Sequence, residues 1–329
     1  MIKTTKKKVN IGLIGCGYWG KNLMRNFHDL GVLKAVSDKD HFVKKMVKDL
    51  TGNIDFITDY KKVLKDDDIN AVVIATPAKT HYKLVKEALH FRKHVFVEKP
   101  LCLNLEDGKK LVELSKKNNL KLMIGHLLLY HPAFIKMKQK IEKGLIGKIR
   151  YIYSNRLALG KLRKEEDVLW SFAPHDISMI LNLINEKLID LDAFGGSYIK
   201  SSVKDTSLTV LKFRNNIKAH IFVSWLHPYK DQRLVVVGEK GMIVFADVAD
   251  NGNKLLHYNH KVKWDGEIPL ISKAEGKKIP FNFTEEPLKV ECKSFINWIV
   301  NEDRPLSDGE EGLKVLRVLE NAKLKLSKW

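Results

Sequence analysis

The chain has 329 residues, and its 58 lysines and arginines against 39 acidic residues give a formal net charge of +19. No apolar run reaches the roughly 18 residues of a membrane-spanning helix. The three cysteines show no ligand spacing, so they predict neither a disulfide framework nor a zinc site and favour a reducing, cytoplasmic location. The basic stretch 1–8 runs straight into an apolar strand without a cleavage site, so no signal peptide is predicted.

The lysines are spread through every segment of the chain rather than gathered into one block. This distribution predicts a solvated basic surface and no nucleic-acid or membrane partner. A positive field of this kind would attract an anionic small molecule such as a nucleotide sugar.

The first apolar run, 9–14, breaks into a glycine-rich turn that precedes a helical pattern. Gly15 permits a tight turn, Gly17 lets the backbone approach a pyrophosphate, and Gly20 lets the following helix pack closely on the strand. The phosphates would lie at the positive N-terminus of that helix. Strand, turn and helix together predict a dinucleotide-binding unit, with a glycine-rich turn in some other α/β protein as the alternative.

An acidic residue follows the second apolar run, 32–36. Asp38 can accept hydrogen bonds from an adenosine ribose and would repel a 2′-phosphate, so NAD is favoured over NADP. The neighbouring Lys39 keeps NADP open.

Strands and helices continue to alternate as far as residue 125, which indicates right-handed crossovers and a parallel, doubly wound sheet. The further strands are predicted at 55–57, 70–77, 94–100 and 120–125. Ligands of such sheets bind beyond the carboxyl ends of the strands. The residues expected to face the cofactor there are Thr76, Pro77, Glu98 and Lys99. His81 begins a helix near the same edge, and we interpret it as structural rather than catalytic.

From His126 onward the pattern changes to strand-like runs with short turns between them, which favours antiparallel pairing. These runs are 149–157, 191–199, 207–213, 217–225, 233–238, 242–247 and 254–258. Helices are predicted at 132–143, around 177–184, at 286–301 and at 312–326. We therefore expect an α/β Rossmann domain at 1–125 and, at 126–329, an α+β domain with a large open antiparallel sheet for substrate binding and oligomerisation.

Three motifs add to the glycine turn: Ala75-Thr-Pro77, His81 and Glu98-Lys99-Pro100. With these motifs and an antiparallel second half, the chain resembles the glucose-fructose oxidoreductase and inositol dehydrogenase family (Gfo/Idh/MocA) over essentially its whole length. The resemblance implies an NAD(P)-dependent sugar dehydrogenase that forms a homo-oligomer, either a dimer or a tetramer.

Further motifs narrow the resemblance to one branch of that family. They are Gly17-Tyr18-Trp19-Gly-Lys-Asn22, Gly125-His126 with Tyr130-His-Pro132, Leu169-Trp170 with Ala173-Pro-His-Asp-Ile-Ser178, and Ser224-Trp225-Leu-His-Pro228. The branch acts on nucleotide-linked sugars and includes the UDP-N-acetylglucosamine 3-dehydrogenases, which work with a partner aminotransferase in lipid A biosynthesis. Tyr18 and Trp19 thereby join the cofactor-binding candidates.

The resemblance implies that Lys99 and His175 are the catalytic residues. An ammonium group near the nicotinamide can stabilise a developing alkoxide or pass on its proton, and desolvation beside the positive ring would lower the pKa of Lys99. His175 follows Pro174, which we interpret as the start of a helix whose positive end keeps the imidazole neutral and able to accept the sugar hydroxyl proton. The alternatives are a lysine salt-bridged at a strand end and a capping or core histidine.

The chain departs from the family four residues before this histidine. The family has an acid there, and this chain has Ser171. The carboxylate that would orient the imidazole is missing unless Asp176 or Asp167 replaces it, and Asp176 points about a quarter-turn away along a helix. Lys99 would then carry more of the proton transfer.

Three aromatic candidates for substrate binding each have a structural alternative. The family positions of Tyr130 and His131 bring them to the sugar, or they are a hydrophobic anchor and a surface histidine. Trp170 packs on the cofactor or the sugar, or it belongs to the core.

Polar candidates for the diphosphate lie near the first strand of the second half. Arg156 and Arg163 would hold it through forked hydrogen bonds, with help from Asn155. Alternatively, the arginines are exposed strand residues.

The leading hypothesis is hydride transfer to NAD from a secondary alcohol of a nucleotide sugar, with C3 of UDP-N-acetylglucosamine as the first candidate. The alternatives are a keto-sugar reductase that uses NADPH, a cofactor-binding sensor without catalysis, and a nucleic-acid-binding protein.

Overall fold

The computed structural model describes residues 9–52, 54–160, 162–163 and 166–326. The basic stretch 1–8, for which no signal peptide is predicted, lies outside them. The chain forms two compact units. The first comprises Met1–Tyr130 and Glu285–Arg317, and the second comprises His131–Thr284 and Val318–Trp329.

A six-stranded parallel sheet forms the centre of the first unit. Its strands are β1 (Ile11–Ile14), β2 (Leu33–Ser37), β3 (Asp55–Ile57), β4 (Ala71–Ile74), β5 (His94–Glu98) and β6 (Leu122–Gly125). They are ordered β3-β2-β1-β4-β5-β6, and every neighbouring pair is parallel. This is the Rossmann order, and the strand order reverses between β1 and β4, where such sheets bind their ligands. The predicted α/β Rossmann fold is confirmed.

Helices connect these strands, and further helical residues join the unit from the end of the chain. The helices are α1 (Gly20–Asp29), α2 (Phe42–Thr51), α3 (Tyr60–Lys65), α4 (His81–His90), α5 (Leu105–Lys117) and, from the end of the chain, α8 (Pro287–Asn301) and the first part of α9 (Gly309–Leu326). Phe96 of β5 packs edge-on against Phe27 of α1 at 6.2 Å and against Phe295 of α8 at 5.8 Å. Residues 285–317 therefore fold with the first unit, and not with the second half as predicted.

An eight-stranded sheet forms the centre of the second unit. Its strands are β7 (Ile149–Leu157), β8 (Leu188–Gly196), β9 (Thr206–Phe213), β10 (Lys218–Ser224), β11 (Asp231–Gly238), β12 (Met242–Ala246), β13 (Leu255–Tyr258) and β16 (Lys277–Lys278). Their order is β16-β13-β12-β11-β7-β10-β9-β8. The predicted large sheet is confirmed, with one correction: among the described pairs, β7 and β10 run parallel. In the sheet, β10 lies between β7 and the hairpin of β8 and β9. The chain passes through this hairpin first and then enters β10 in the same direction as β7.

Helices of the second unit cover one face of this sheet. They are α6 (Pro132–Glu142), α7 (Val168–Leu183) and the last part of α9 (Gly309–Leu326). On β7, Ile152, Ser154 and Arg156 are buried and alternate with half-buried residues, because successive side chains point to opposite faces. α7 packs against β7, β9 and β10, so this buried face is the one toward α7.

A separate two-stranded sheet was not predicted. It consists of β14 (Lys261–Asp265) and β15 (Ile268–Ser272), and all ten residues are exposed. The two residues between the strands are Gly266 and Glu267, and Gly266 has the positive φ of 57° that the first position of a two-residue hairpin turn uses.

None of the helices in the described part of the chain combines the length and the apolar character that a membrane span needs.

Candidate active site

The three glycines of the turn have the distinct surroundings that their predicted roles require. Gly15 has a φ of 91°, and a Cβ there would lie 2.7 Å from the Thr76 side chain. A Cβ on Gly20 would lie 2.3 Å from the carbonyl oxygen of Gly15, so only glycine lets α1 start so close to the turn. A Cβ on Gly17 would meet nothing within 4 Å, which leaves open space above the turn.

The N-terminus of α1 opens onto this turn without a side-chain cap. Trp19 occupies the N-cap position, makes no capping hydrogen bond from its side chain, and is followed by no acidic residue in the first turn. The backbone N–H groups of such a helix end favour an anion. The open space at Gly17 and this uncapped helix end therefore fit the pyrophosphate of a dinucleotide. Tyr18 is 85% exposed, and Lys21 lies over its ring at 5.4 Å.

Asp38 follows β2 and lies against the same turn. Its Oδ2 accepts a hydrogen bond of 2.7 Å from the backbone N–H of Cys16, and its Oδ1 accepts one of 3.0 Å from the N–H of Asp40. The carboxylate is thus held beside the glycine turn, as a ribose-binding acid requires.

His81 joins two loops at the carboxyl edge of the sheet. Its ring is buried, with Nδ1 2.7 Å from the carbonyl oxygen of Pro100 and Nε2 2.8 Å from that of Thr76. The Oγ1 atoms of Thr76 and Thr80 are 2.7 Å apart. His81 therefore fastens the Thr76-Pro77 loop to the loop after β5, in agreement with its structural interpretation.

β5 ends at Glu98, with Lys99 directly after it, and both side chains are half-buried. Nε1 of Trp19 donates a hydrogen bond of 2.7 Å to Oε1 of Glu98. Burial raises the pKa of Glu98 to about 7, although Lys99 and the hydrogen bond from Trp19 oppose the rise. The structure thus brings together the glycine turn and the strand end that carries Lys99.

His175 does not begin its helix, so our interpretation of Pro174 is wrong. α7 starts at Val168, and Asp167 is its N-cap, accepting a 3.0 Å hydrogen bond from the N–H of Trp170. His175 therefore lies in the interior of α7, beyond the first turn in which a helix end affects charge most strongly. Ser171, one turn earlier on the same helix, is buried.

The two acids considered as replacements at Ser171 have other partners. Asp167 caps α7. Asp176 is buried, and its oxygens accept hydrogen bonds from Oγ of Ser154 at 2.5 Å and from Nε of Arg156 at 2.7 Å. Both acids therefore have a structural role, Asp167 at the start of α7 and Asp176 between α7 and β7.

The same contacts change the interpretation of the diphosphate candidates. Arg156 is buried on the face of β7 toward α7 and forms an ion pair with Asp176. Asn155 is the next residue along the strand and points to the opposite face of the sheet. The structure therefore does not bring Arg156 and Asn155 together. Arg163 is half-exposed, and its Nη1 pairs with Glu166 at 2.7 Å.

The side chains of Tyr130 and His131 are enclosed by other residues of the protein and do not face open space. Tyr130 is buried, and its hydroxyl lies 3.0 Å from Oγ of Ser307. His131 is also buried: its Nδ1 accepts a 3.1 Å hydrogen bond from the N–H of Ala133 and so caps α6, and its ring packs 5.0 Å from that of Phe245. Burial lowers the pKa of His131 to about 4. The surface-histidine interpretation is wrong, and no sugar contact follows from this position.

Trp170 lies in the interior of the second unit. Its ring is buried, Lys323 lies over it at 5.9 Å, and Nε1 is buried without a hydrogen-bond partner. These contacts agree with the core alternative for Trp170.

A group of acids near Glu98 was not predicted from the sequence. Glu291 of α8 is fully buried, and neither of its oxygens has a hydrogen-bond partner. Burial, together with Glu98 and Glu311, raises its pKa well above the usual range and so favours the neutral carboxyl group. Glu311 accepts its hydrogen bond from Nδ1 of His126, at 2.5 Å. Helical spacing in the sequence could have identified Glu291 as buried, because it lies between Leu288 and Phe295 on the buried stripe of α8.

Within the described ranges, no group of three or more His, Cys, Asp or Glu side chains is placed to hold a metal ion.

Two family models match the chain. One, described as an oxidoreductase family with an NAD-binding Rossmann fold, covers residues 9–126, and the other, the GFO/IDH/MocA C-terminal domain, covers 134–244. Together they span well over half of the chain. The predicted NAD-binding Rossmann domain is confirmed.

Individual relatives carry different names. The chain is 28% identical to myo-inositol 2-dehydrogenase from Thermotoga maritima over 324 residues, which are 94% of this chain and 93% of that protein. It is 26% identical to UDP-N-acetylglucosamine 3-dehydrogenase from Acidithiobacillus ferrooxidans over 250 residues, 76% of each. A solved structure of UDP-N-acetylglucosamine 3-dehydrogenase from A. ferrooxidans matches over 97% of both chains, with a TM-score of 0.84 at 22% identity. This similarity shows that the two chains have the same fold.

Proposed function

This chain belongs to the Gfo/Idh/MocA family of NAD-binding oxidoreductases, and from that premise we propose that it oxidises a secondary alcohol of a nucleotide sugar. The first candidate is the C3 hydroxyl of UDP-N-acetylglucosamine, which would become the 3-keto sugar. NAD, when bound, supplies the acceptor for the hydride.

One observation carries the proposal of catalysis: the hydrogen bond from Trp19 to Glu98. It joins the turn that fits the dinucleotide to the end of β5, and Lys99 directly follows that end. We propose that a lysine at this position brings its amino group near the reacting atoms of a cofactor bound over the turn. Its ammonium form can stabilise the developing alkoxide, and its amine form can accept the hydroxyl proton.

We propose His175 as a second proton acceptor, on the strength of its family motif. Asp167 caps α7 and Asp176 pairs with Arg156, so both acids have a structural role. Lys99 would therefore take the larger share of the proton transfer.

The choice between substrates rests on charge and on relatives. A nucleotide sugar carries a diphosphate, which a chain of formal charge +19 attracts, whereas a neutral polyol gains nothing from that field. The A. ferrooxidans relative supports the nucleotide sugar. The T. maritima relative, with its longer match, supports a cyclic polyol such as inositol as the second candidate.

Two further proposals follow from the nucleotide-sugar assignment. The 3-keto product would be converted to an amino sugar by a partner aminotransferase, for lipid A or another surface glycan. The half-exposed face of the eight-stranded sheet would form the contact in a homo-oligomer.

A substrate panel tests the function. Purified protein is incubated with NAD and UDP-N-acetylglucosamine, other UDP- and dTDP-sugars, myo-inositol or scyllo-inositol, and formation of NADH is followed by absorbance. We expect turnover with UDP-N-acetylglucosamine and a fall in kcat/KM with rising salt. Turnover only with inositols would select the second candidate, and no turnover in either direction with any alcohol or keto form would contradict both.

Lys99→Ala separates catalysis from cofactor binding. We expect it to bind NADH with near-normal affinity and to lose turnover by at least about a hundredfold, the usual contribution of a general acid or base. Lys83→Ala, which removes an exposed lysine of α4, is the matched control and should leave turnover unchanged. Normal turnover in Lys99→Ala would exclude a catalytic role for this lysine.

A further inference from the structure

Trp19 and Glu98 are 79 positions apart in the sequence and are joined by one hydrogen bond. Trp19 is the N-cap of α1, makes no capping hydrogen bond with its side chain, and is 38% exposed. Glu98 ends β5, a strand buried through its three central residues. The bond therefore anchors a partly exposed part of the turn to a rigid part of the sheet.

The carboxylate of Glu98 is fixed in turn by its surroundings. A Cβ on Gly125 would lie 3.0 to 3.1 Å from the atoms of this carboxylate, so the glycine in β6 leaves room for the group to pack against the strand. The backbone N–H of Lys99 donates to Oε2 at 3.3 Å. The side chain thus occupies a slot between β5, β6 and the turn.

Titratable groups face Glu98 from every neighbouring element. Lys99 lies on its own strand end and His126 follows β6, and both favour the charged carboxylate. Glu291 and Cys292 on α8 interact with it electrostatically, and both have their pKa raised further by its negative charge. Burial and the neighbouring acids favour the neutral form of Glu291, whereas Lys99, His126 and the Trp19 indole favour the ionised form of Glu98.

We propose that Glu98 is a positioning residue for the cofactor turn: its ionised carboxylate holds the Trp19 indole and thereby keeps the turn in the conformation that accepts NAD(H). The inference rests on the cofactor of the proposed function and not on the identity of the sugar. A hydrogen bond to a charged acceptor is roughly twice as strong as one to a neutral acceptor. Protonation of Glu98 therefore loosens the turn.

A loosened turn lowers the affinity for the cofactor. The apparent Kd equals the intrinsic Kd divided by the fraction of molecules in the competent conformation. Burial raises the pKa of Glu98 to about 7, so the carboxylate is mostly neutral at pH 6 and mostly ionised at pH 8. NADH should bind more tightly at pH 8 than at pH 6.

The first experiment uses tryptophan fluorescence of the protein without cofactor. The difference between wild type and Trp19→Phe isolates the emission of Trp19, and it is recorded from pH 5.5 to 8.5. We expect a titration with a midpoint near pH 7 that disappears in Glu98→Gln. The control Trp298→Phe, which removes an indole of α8 in the same unit, should keep it. A flat profile in wild type, or an unchanged one in Glu98→Gln, would overturn the proposal.

The second experiment measures the Kd of NADH by its fluorescence at pH 8. Trp19→Phe keeps an aromatic ring and Glu98→Gln keeps a hydrogen-bonding side chain, and each should weaken binding about three- to tenfold. The double variant should bind no more weakly than the weaker single variant, because both changes break one bond. Additive losses, or single variants that bind like wild type, would overturn the proposal.

The pH dependence of the same Kd distinguishes positioning from a purely structural effect. Wild type should bind NADH about three- to tenfold more tightly at pH 8 than at pH 6, while Glu98→Gln should show a flat profile. Absence of NADH binding by wild type would overturn this inference together with the cofactor assignment. Intact, pH-dependent binding without turnover on any sugar would contradict the proposed function alone.

Discussion

Nε of Arg156 donates a hydrogen bond of 2.7 Å to Oδ2 of Asp176, and both side chains are buried in the second unit. Ser154 donates a further hydrogen bond to the same carboxylate. The pair therefore fastens α7, the helix that carries His175, to the centre of the eight-stranded sheet.

Breaking this pair should destabilise the second unit strongly. Asp176→Asn leaves the buried guanidinium with only the more distant carboxylate of Asp247, at 3.9 Å, and we expect the free energy of unfolding to fall by up to about 3–5 kcal/mol. Replacing both partners, as in Arg156→Met with Asp176→Leu, should restore much of the loss because no buried charge remains. Urea denaturation checks both. Arg156→Met with unchanged stability but a raised KM for the nucleotide sugar would instead support the diphosphate role.

Asp38 should decide between NAD and NADP. Its carboxylate is held against the glycine turn by the N–H of Cys16, where it would repel a 2′-phosphate. We expect Asp38→Ser to lower the KM for NADP by at least about tenfold and to raise that for NAD, measured as the ratio of kcat/KM for the two cofactors. Asp40→Ser removes an equal charge two residues away and should leave the ratio unchanged. An unaltered ratio in Asp38→Ser would show that another group selects the cofactor.

His131 should make the second unit less stable in acid. Its folded pKa of about 4 lies below its ordinary value of 6.5, so the unfolded chain binds a proton that the folded chain excludes. The stability contribution is complete above pH 6.5 and is lost as the pH falls toward 4, by up to about 1.4 kcal/mol per pH unit.

The variant His131→Asn tests this, because asparagine is a favoured N-cap residue and cannot be protonated in this range. We expect a shallower fall of the unfolding free energy between pH 6.5 and 4 than in wild type, with kcat/KM unchanged at pH 7. His131→Ala should in addition cost about 1 kcal/mol at pH 7, through loss of the cap. A large loss of kcat/KM in folded His131→Asn would restore the substrate-binding hypothesis.

The Rossmann half was predictable because its signals are local. Buried parallel strands are short continuous apolar runs, and the three glycines each meet a geometric need that is written into their spacing. The strands of the second half were also found, from β7 to β13, since alternation and turn residues mark them. The pairing of those strands was not predicted, because the parallel pairing of β7 with β10 depends on where in the sheet the chain returns after β9.

The errors within the site have one physical origin, which is that side-chain direction depends on the exact start of an element. Pro174 is typical of a helix beginning, but Asp167 caps α7 seven residues earlier than expected. Asn155 and Arg156 were assigned to one ligand although neighbours on a strand face opposite ways. The bond between Trp19 and Glu98 had no local signal at all, because it joins residues from distant parts of the sequence.

The glycine turn offers a matched pair of substitutions that separate folding from cofactor binding. A methyl group on Gly17 would meet no protein atom within 4 Å, so Gly17→Ala should keep the melting temperature of wild type within about 1 °C for lack of any clash. The same methyl group would project into the space proposed for the pyrophosphate, and NADH affinity should fall at least about tenfold. Gly20→Ala differs, because its Cβ would lie 2.3 Å from the carbonyl oxygen of Gly15 and the turn must move. It should lower both the melting temperature and NADH affinity. Thermal unfolding and NADH titration of the two variants check this, and wild-type affinity in Gly17→Ala would place the dinucleotide elsewhere.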